Sequence, residues 1–395
     1  MRFEAMQDDF RRIDKMMREN AIFTERRFAK EYYTGYSYET LYDWDQYFET
    51  LVQLYLGWDT KYAKNGVEIF LDYQKENGHI QRSSTADYEA QLTEHVKPFL
   101  AQISLLVYKR DRNIDFLTED YYQRMKKYLL YWLVDRDIRK VNLSVWDSAP
   151  HSGMDNHHER AGWWYACYCE GVDLNAFLVR ECEAFALIAE LKDHPEDAEI
   201  FRGYRAKITA AMQKLMWNKE AGLFFDIDAR TGKQIPVKHI GIFATLWAGI
   251  ATERQAQRLV REHLMNPDEF FRRFPFPALS ADEPGYSERK RADDLGCSWR
   301  AQTWIPTNYY IFEGLRAYGY TDLAGYVSWK TSAEVRRIGD REYYNTESVT
   351  GNGLDPFWGW SLLAYFMPVE SELGLDPTRL DRASLDEDVY RVFGE

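Results

Sequence analysis

The sequence predicts an all-α protein of the (α/α)6 class, a toroid in which helical hairpins close into a ring, formed as a single domain over residues 1–395. Two observations lead there. Apolar residues recur at helical spacing through most of the chain and give about twelve helices. The connections alternate between short turns and long polar loops, as a barrel of hairpins with its functional loops on one face requires. No sequence repeat of fixed period runs through the chain. Length alone would suit two or three domains, but helical barrels commonly exceed the usual domain size as one unit.

The elements follow in order. Met6, Phe10, Ile13 and Met17 place an amphipathic helix between Phe3 and Asn20. After the irregular aromatic run 32–36, helical spacing resumes from Leu41 to Gly57. Asp59 then caps a helix that Asn77-Gly78 stops near Glu76. Residues 78–97 read as a lid-like loop. Helices return at 98–109 and 118–135, followed by a loop rich in Ser, Pro, Gly and Asn. Asp173 caps the run 174–191, and 196–217 is its partner. The alternation in 223–228, between Gly222 and Gly232, predicts a short hairpin. Helices at 240–250 and 253–263 precede a second long loop at 271–300. The last elements are helices at 303–318 and 321–335 and one that begins near Trp358.

Composition narrows the function. Apolar residues at 45% supply an ordinary core, but 16% aromatic, with 13 Trp and 28 Tyr, exceeds what packing requires. Flat apolar faces with polar tips suit a ligand that is both hydroxylated and ring-shaped, such as a carbohydrate. A net charge of −13 argues against nucleic acid. Cys167, Cys169, Cys182 and Cys297 are too few for a disulfide framework, and their spacing does not suit zinc. No metal and no cofactor are expected. The amino terminus has no apolar signal core, and no segment has the ~18 uncharged residues of a membrane span. The expectation is a cytoplasmic protein with a small carbohydrate substrate and no nucleic-acid or membrane partner; the sequence leaves the oligomeric state open.

The loop Trp146-Asp147-Ser148-Ala149-Pro150-His151-Ser152-Gly153-Met154-Asp155-Asn156 carries two Asp, a His and a Trp, and a helical protein commits such a long loop to binding. Inverting hydrolysis of a glycosidic bond needs one protonated and one ionised carboxyl on opposite sides of the sugar, roughly 6.5–9.5 Å apart. Asp155, near Trp146 and Trp163, has apolar surroundings that raise a carboxyl's pKa, so it is the candidate acid. Glu342 precedes Tyr343-Tyr344 and the glycines of Thr350-Gly351-Asn352-Gly353, which let backbone approach a ligand; it is the candidate base. Glu347 matches it on composition alone.

Several blocks resemble glycoside hydrolase family 63, including its mannosylglycerate hydrolase-like members, and the related trehalase-like (α/α)6 inverting glycosidases. Tyr42-Asp43-Trp44-Asp45-Gln46-Tyr47-Phe48 looks like the family's Trp-Asp block, whose Asp binds sugar hydroxyls. Ser152-Gly153-Met154-Asp155-Asn156 is similar to the block of the general acid, and 173–178 to the helix start after it. Residues 299–308 resemble Trp-Arg-Gly-Pro-x-Trp-x-x-x-Asn. Glu342-Tyr343-Tyr344-Asn345 with Gly359-Trp360 is similar to the block of the general base. The resemblance implies an inverting, α-glucosidase-like exo-hydrolase of a small α-glucoside or related oligosaccharide, with Asp155 as acid and Glu342 rather than Glu347 as base. It further implies that Trp44, Asp45, Gln46, Trp146, Gly153, Asn156, Arg300, Trp304, Tyr343 and Trp360 bind substrate, with Trp146 and Trp304 as stacking platforms. His79, Arg82 and Lys97 in the lid would reach an acidic aglycone such as glycerate. The N-terminal β-rich region that larger members share is absent, which implies a small substrate. Ala301-Gln302 replaces the family's Gly-Pro, Lys97-Pro98 stands for a Pro-Pro, and His157-His158-Glu159-Arg160 stands where relatives have Ser-Pro-Arg.

Two other readings use the same residues. A sugar isomerase or 2-epimerase on such a barrel would employ histidine bases, for which His239 and His157-His158 are available. A non-catalytic sugar-binding protein would keep the aromatic pocket and tolerate loss of either acid.

Overall fold

The computed structural model describes residues 3–85, 94–161, 168–290 and 297–387. Residues 86–93 of the expected lid, Trp163, Cys167 and residues 291–296 of the second long loop lie outside them. The fold divides into two units: Met1–Trp132 with Arg180–Gly203 and Phe357–Glu395, and Leu133–Val179 with Tyr204–Pro356.

In the first unit, Met6, Phe10, Ile13 and Met17 of the helix Phe3–Asn20 are all buried, which is the stripe their spacing predicts. Phe10 and Tyr55 each stack on Phe366, with ring centroids 4.9 and 5.0 Å away. The helices Asp43–Tyr55 and Lys61–Asp72 pack against Leu100–Asp111. Every residue of Asp43–Tyr55 is buried, so it is a core helix rather than an amphipathic one. Glu181 reaches the start of Leu100–Asp111 and accepts the Ala101 and Gln102 amides at 2.7 and 3.2 Å, a cap supplied from 80 residues away. Glu119–Leu130 starts on Thr118, whose hydroxyl accepts the Tyr121 amide, and continues as a π-helical turn to Asp135.

The expected lid is largely tied down where it is described. Ser83–Ser84 pairs with Leu41–Tyr42, and Gln81 bridges to His95. Lys97, expected to reach an aglycone, is 1% exposed and turned inward, its ammonium 3.1 Å from Asp43 Oδ1. A buried charge keeps a partner, and Asp43 is the one it has. His79 is buried as well, and Arg82 is half-buried.

The second unit joins helices to three small antiparallel ladders. Asp226–Asp228 pairs with Cys169–Glu170 on one side and Lys233–Ile235 on the other, while Leu223–Phe224 pairs with Trp217–Asn218. The hairpin expected at 223–228 is therefore two pairings. Gln302–Thr303, Tyr343–Asn345 and Gly351–Asn352 form a three-stranded ladder beside the helix Ile305–Ala317, which packs on Thr321–Ile338. The helix expected at 240–250 is a 3-10 turn, Ile240–Phe243, followed by Ala244–Trp247. Thr252 and Gln255 form a capping box that starts Glu253–Arg258. Among the described residues, no helix is long and apolar enough to cross a membrane. Cys169, Cys182 and Cys297 are buried free thiols.

Candidate active site

The stretch 146–156 was expected to be loop throughout. It instead holds one helical turn, Ala149–Ser152, because Ser148 caps it by accepting the His151 amide and Pro150 suits a first turn. Gly153, at φ +83°, ends the turn in the left-handed region and sends the chain on to Met154, Asp155 and Asn156. Its observed part is this reversal.

Two contacts register the Asp155-Asn156 pair on the segment 297–299. The Cys297 thiol donates to Asp155 Oδ2 at 3.3 Å, and Asn156 Oδ1 accepts the Trp299 amide at 2.7 Å. From Trp299 a buried aromatic stack runs toward the other acid. Trp299 and Trp304 are nearly parallel with centroids 3.8 Å apart, and Trp304 stacks on Tyr343 at 4.5 Å. Each such pair is worth roughly 1 kcal/mol beyond its burial. Tyr343 follows Glu342, so the stack ties the segment that holds the Asp155 loop to the strand that Glu342 immediately precedes.

Glu342 is half-buried, with Oε2 accepting the Leu354 amide at 3.1 Å. Burial is the largest of the causes that raise its pKa to about 7, and the charge of Asp155 adds to it; the Leu354 amide and Lys290 oppose the rise. Burial thus raises the carboxyl of the candidate base. The glycines after it serve a purpose other than approach to a ligand: a Cβ on Gly353, at φ +71°, would lie 2.3 Å from Glu342 Oε2. The backbone approaches the carboxylate itself.

Cys297, beside Asp155, feels both acids. Cys297 is 8% exposed; burial pushes its thiol well above the usual range, and Asp155 and Glu342 both add to the effect. The rival Glu347 is held differently. It accepts from Arg272 Nε at 2.7 Å and from the Tyr286 hydroxyl at 2.6 Å, and its pKa is lowered against the opposing effect of burial.

Behind the Asp155 loop lies a buried ionic cluster that the sequence did not reveal. Arg160 Nη1 and Nη2 meet the two oxygens of Asp173 at 2.6 and 2.7 Å, and its Nε meets Asp226 Oδ2 at 2.7 Å. Asp226 also accepts the Val172 amide and faces His239 Nε2 at 3.2 Å. Asp173, expected to be a cap, lies within the first turn of Val172–Leu191 and works as this ion-pair partner. Paired carboxylates around one guanidinium offset the cost of burying each charge and fix Arg160, five residues beyond Asp155.

Several residues expected to bind substrate make contacts within the protein. Trp146 is fully buried, its Nε1 donating to Asp173 Oδ1 at 3.0 Å. Trp304 lies within the stack and donates its Nε1 to the Ser298 carbonyl. Asn156 and Tyr343 are buried in the contacts above. The Arg300 guanidinium donates to the Arg289 carbonyl at 2.6 Å and the Gly285 carbonyl at 3.4 Å, bracing the second long loop. In each case a polar or aromatic side chain is buried among protein partners, a distinction that residue type does not convey.

The other expected residues belong to the first unit. Trp44 meets Trp360 edge-on at 6.1 Å, and Trp360 meets Tyr36 and Phe357 at 6.2 and 5.6 Å. Asp45 is buried beside them, with an oxygen, Oδ1, that accepts no hydrogen bond among the described residues. Burial and the neighbouring Asp43 raise its pKa, opposed by Lys97 and a hydrogen bond from Tyr36. Gln46 occupies the space that a side chain on Gly66 would fill. Among the described residues no group of three or more His, Cys, Asp or Glu is placed to hold a metal ion.

The sequence profile of the mannosylglycerate hydrolase MGH1-like glycoside hydrolase domain matches residues 38–361. Among characterised relatives, the mannosylglycerate hydrolase of Thermus thermophilus is 30% identical over 198 residues, 49% of this chain and 44% of that protein. The cytosolic neutral trehalase of Saccharomyces cerevisiae is 26% identical over 210 residues, 51% of this chain and 26% of that protein. The chain thus spans less than half the length of these relatives. Among solved structures, a GH63 mannosylglycerate hydrolase from Thermus thermophilus in complex with glucose has a TM-score of 0.74 at 19% identity, covering 90% of this chain and 99% of that one. Neutral trehalase from Saccharomyces cerevisiae has a TM-score of 0.66 at 20% identity, covering 92% and 82%. At these identities the likeness establishes the fold, which is the (α/α)6 class expected from the sequence. The motif blocks and the matching profile agree that the chain belongs to glycoside hydrolase family 63, among its mannosylglycerate hydrolase MGH1-like domains.

Proposed function

We propose that this protein is an inverting hydrolase of a small α-linked glycoside, an α-glucoside or the α-mannoside of an acid such as glycerate. Asp155 gives its proton to the leaving oxygen, and Glu342 takes a proton from the water that attacks the anomeric carbon from the other side. The observation that carries the reading is the placement of Asp155 against the Cys297 thiol, on a segment that the Trp299, Trp304 and Tyr343 stack joins to Glu342, whose carboxyl burial raises. A carboxyl lifted to about 7 is a far better base than a solvated glutamate and is still partly ionised at neutral pH. Glu347, tied to Arg272 and Tyr286, lacks that basicity. The names of the relatives, mannosylglycerate hydrolase and cytosolic neutral trehalase, support a small substrate and a cytosolic place of action.

The isomerase reading loses ground at its bases. His157 and His239 are fully buried, one against the Ala278 carbonyl and the other against Asp226. The test is an anomer-resolved NMR time course with mannosylglycerate, glucosylglycerate, trehalose, kojibiose and nigerose. Initial release of the β-anomer, lost by orders of magnitude in Asp155→Asn and in Glu342→Gln, is the expected result. Initial release of the α-anomer, or full activity in either variant, overturns the assignment. No release from any of the five overturns the substrate class.

A further inference from the structure

We propose that Cys297 is a positioning residue for the general acid, its thiol holding the Asp155 carboxyl in the orientation from which the proton is delivered. The inference rests on the hydrolase reading above and adds a residue to it. Its basis is a two-point attachment at matched spacing: the Cys297 thiol to Asp155 Oδ2 at 3.3 Å, and the Trp299 amide to Asn156 Oδ1 at 2.7 Å. The second contact fixes the backbone of the acid's loop. The first fixes one oxygen of its side chain.

A thiol suits this task for a chemical reason. An S–H group is a weak donor, so it orients a carboxyl without stabilising the charged form as strongly as a hydroxyl or a cation would. A strong donor would make the acid reluctant to hold its proton. Burial keeps Cys297 protonated, so it remains a donor and does not compete as a nucleophile. The contact joins residues 142 apart in sequence, with Cys297 just ahead of the stack of Trp299, Trp304 and Tyr343 that holds the site together.

Leaving groups provide the test. An O-glycoside needs its leaving oxygen protonated, whereas a glycosyl fluoride of the same sugar departs with little help from an acid. Wild type, Cys297→Ala, Cys297→Ser and Asp155→Asn are compared on both substrates. In Cys297→Ala, kcat on the O-glycoside is expected to fall roughly tenfold to hundredfold. KM and turnover of the fluoride should stay within about twofold of wild type, and Cys297→Ser, which keeps a donor but a stronger one, should recover only part of the loss. An unchanged kcat on the O-glycoside in Cys297→Ala overturns the inference, as does an equal loss on both substrates, which would mark a merely structural role. The failure of the underlying reading looks different: Asp155→Asn would then keep the activity, or the wild type would cleave neither substrate.

Discussion

Replacing Glu342 with Gln should make the protein more stable as the pH rises, while removing its activity. The folded chain holds the Glu342 proton up to about pH 7, whereas the unfolded chain releases it near the ordinary 4.5. Between these values the folded state binds more protons, so the wild type loses stability as the pH climbs. At about 1.4 kcal/mol per pH unit the interval corresponds to about 3 kcal/mol, fully present above neutrality. Unfolding entropy of about 2.1 cal/mol/K per residue, or about 0.8 kcal/mol/K over the 395 residues, converts this to about 4 °C in Tm. Gln has the same shape, can accept the Leu354 amide and has no proton to lose. The measurement is Tm of both proteins from pH 4.5 to 8.5, read as variant minus wild type. The difference is needed because Glu181 is also raised to about 7 and contributes a similar slope to both proteins. The gap should widen by about 4 °C between pH 4.5 and 8. A gap independent of pH, or one that widens toward acid, would refute the account of Glu342 as a buried, destabilised carboxylate.

Other consequences follow from neighbouring residues. Gly353→Ala puts a Cβ into a left-handed φ and 2.3 Å from Glu342 Oε2, so it should cost at least about 2 kcal/mol in urea unfolding and about 100-fold in kcat by displacing the base. Arg160→Met leaves Asp173 and Asp226 buried without their cation, and equilibrium unfolding should register a loss of about 3–5 kcal/mol. Glu347→Gln removes a partly exposed partner of Arg272 and should leave kcat within about threefold and stability within about 1 kcal/mol. A large loss of kcat in that variant with little change in Tm would make Glu347 the base.

Local pattern made much of the molecule legible. Helical spacing located the main helices to within a few residues, because a buried stripe must return about every 3.6 residues wherever a helix has one solvated face. It failed where a rule of thumb stood in for geometry. Pro150 reads as a breaker in the sequence, yet at the first turn it starts a helix, and the 240–250 segment is split between two helix types. The site residues divide in the same way. Asp155 and Glu342 stand out because each sits in a short block of unusual composition. Cys297, Arg160 and Gly353 do not, since their significance lies in the Asp155, Asp173 and Glu342 atoms they face.

By itself the sequence determined the helical class, the family and the two carboxyls that stand out in it, because all of these are written in residue spacing and in contiguous motifs. Only the tertiary structure decided that Trp304 is stacked between protein rings, that Lys97 answers Asp43, and that Glu347 is held by Arg272 and Tyr286 while Glu342 carries the raised pKa. The physical reason is that burial and partnership set a side chain's charge and availability. Both depend on neighbours brought in from distant parts of the chain, which residue type and local spacing do not encode.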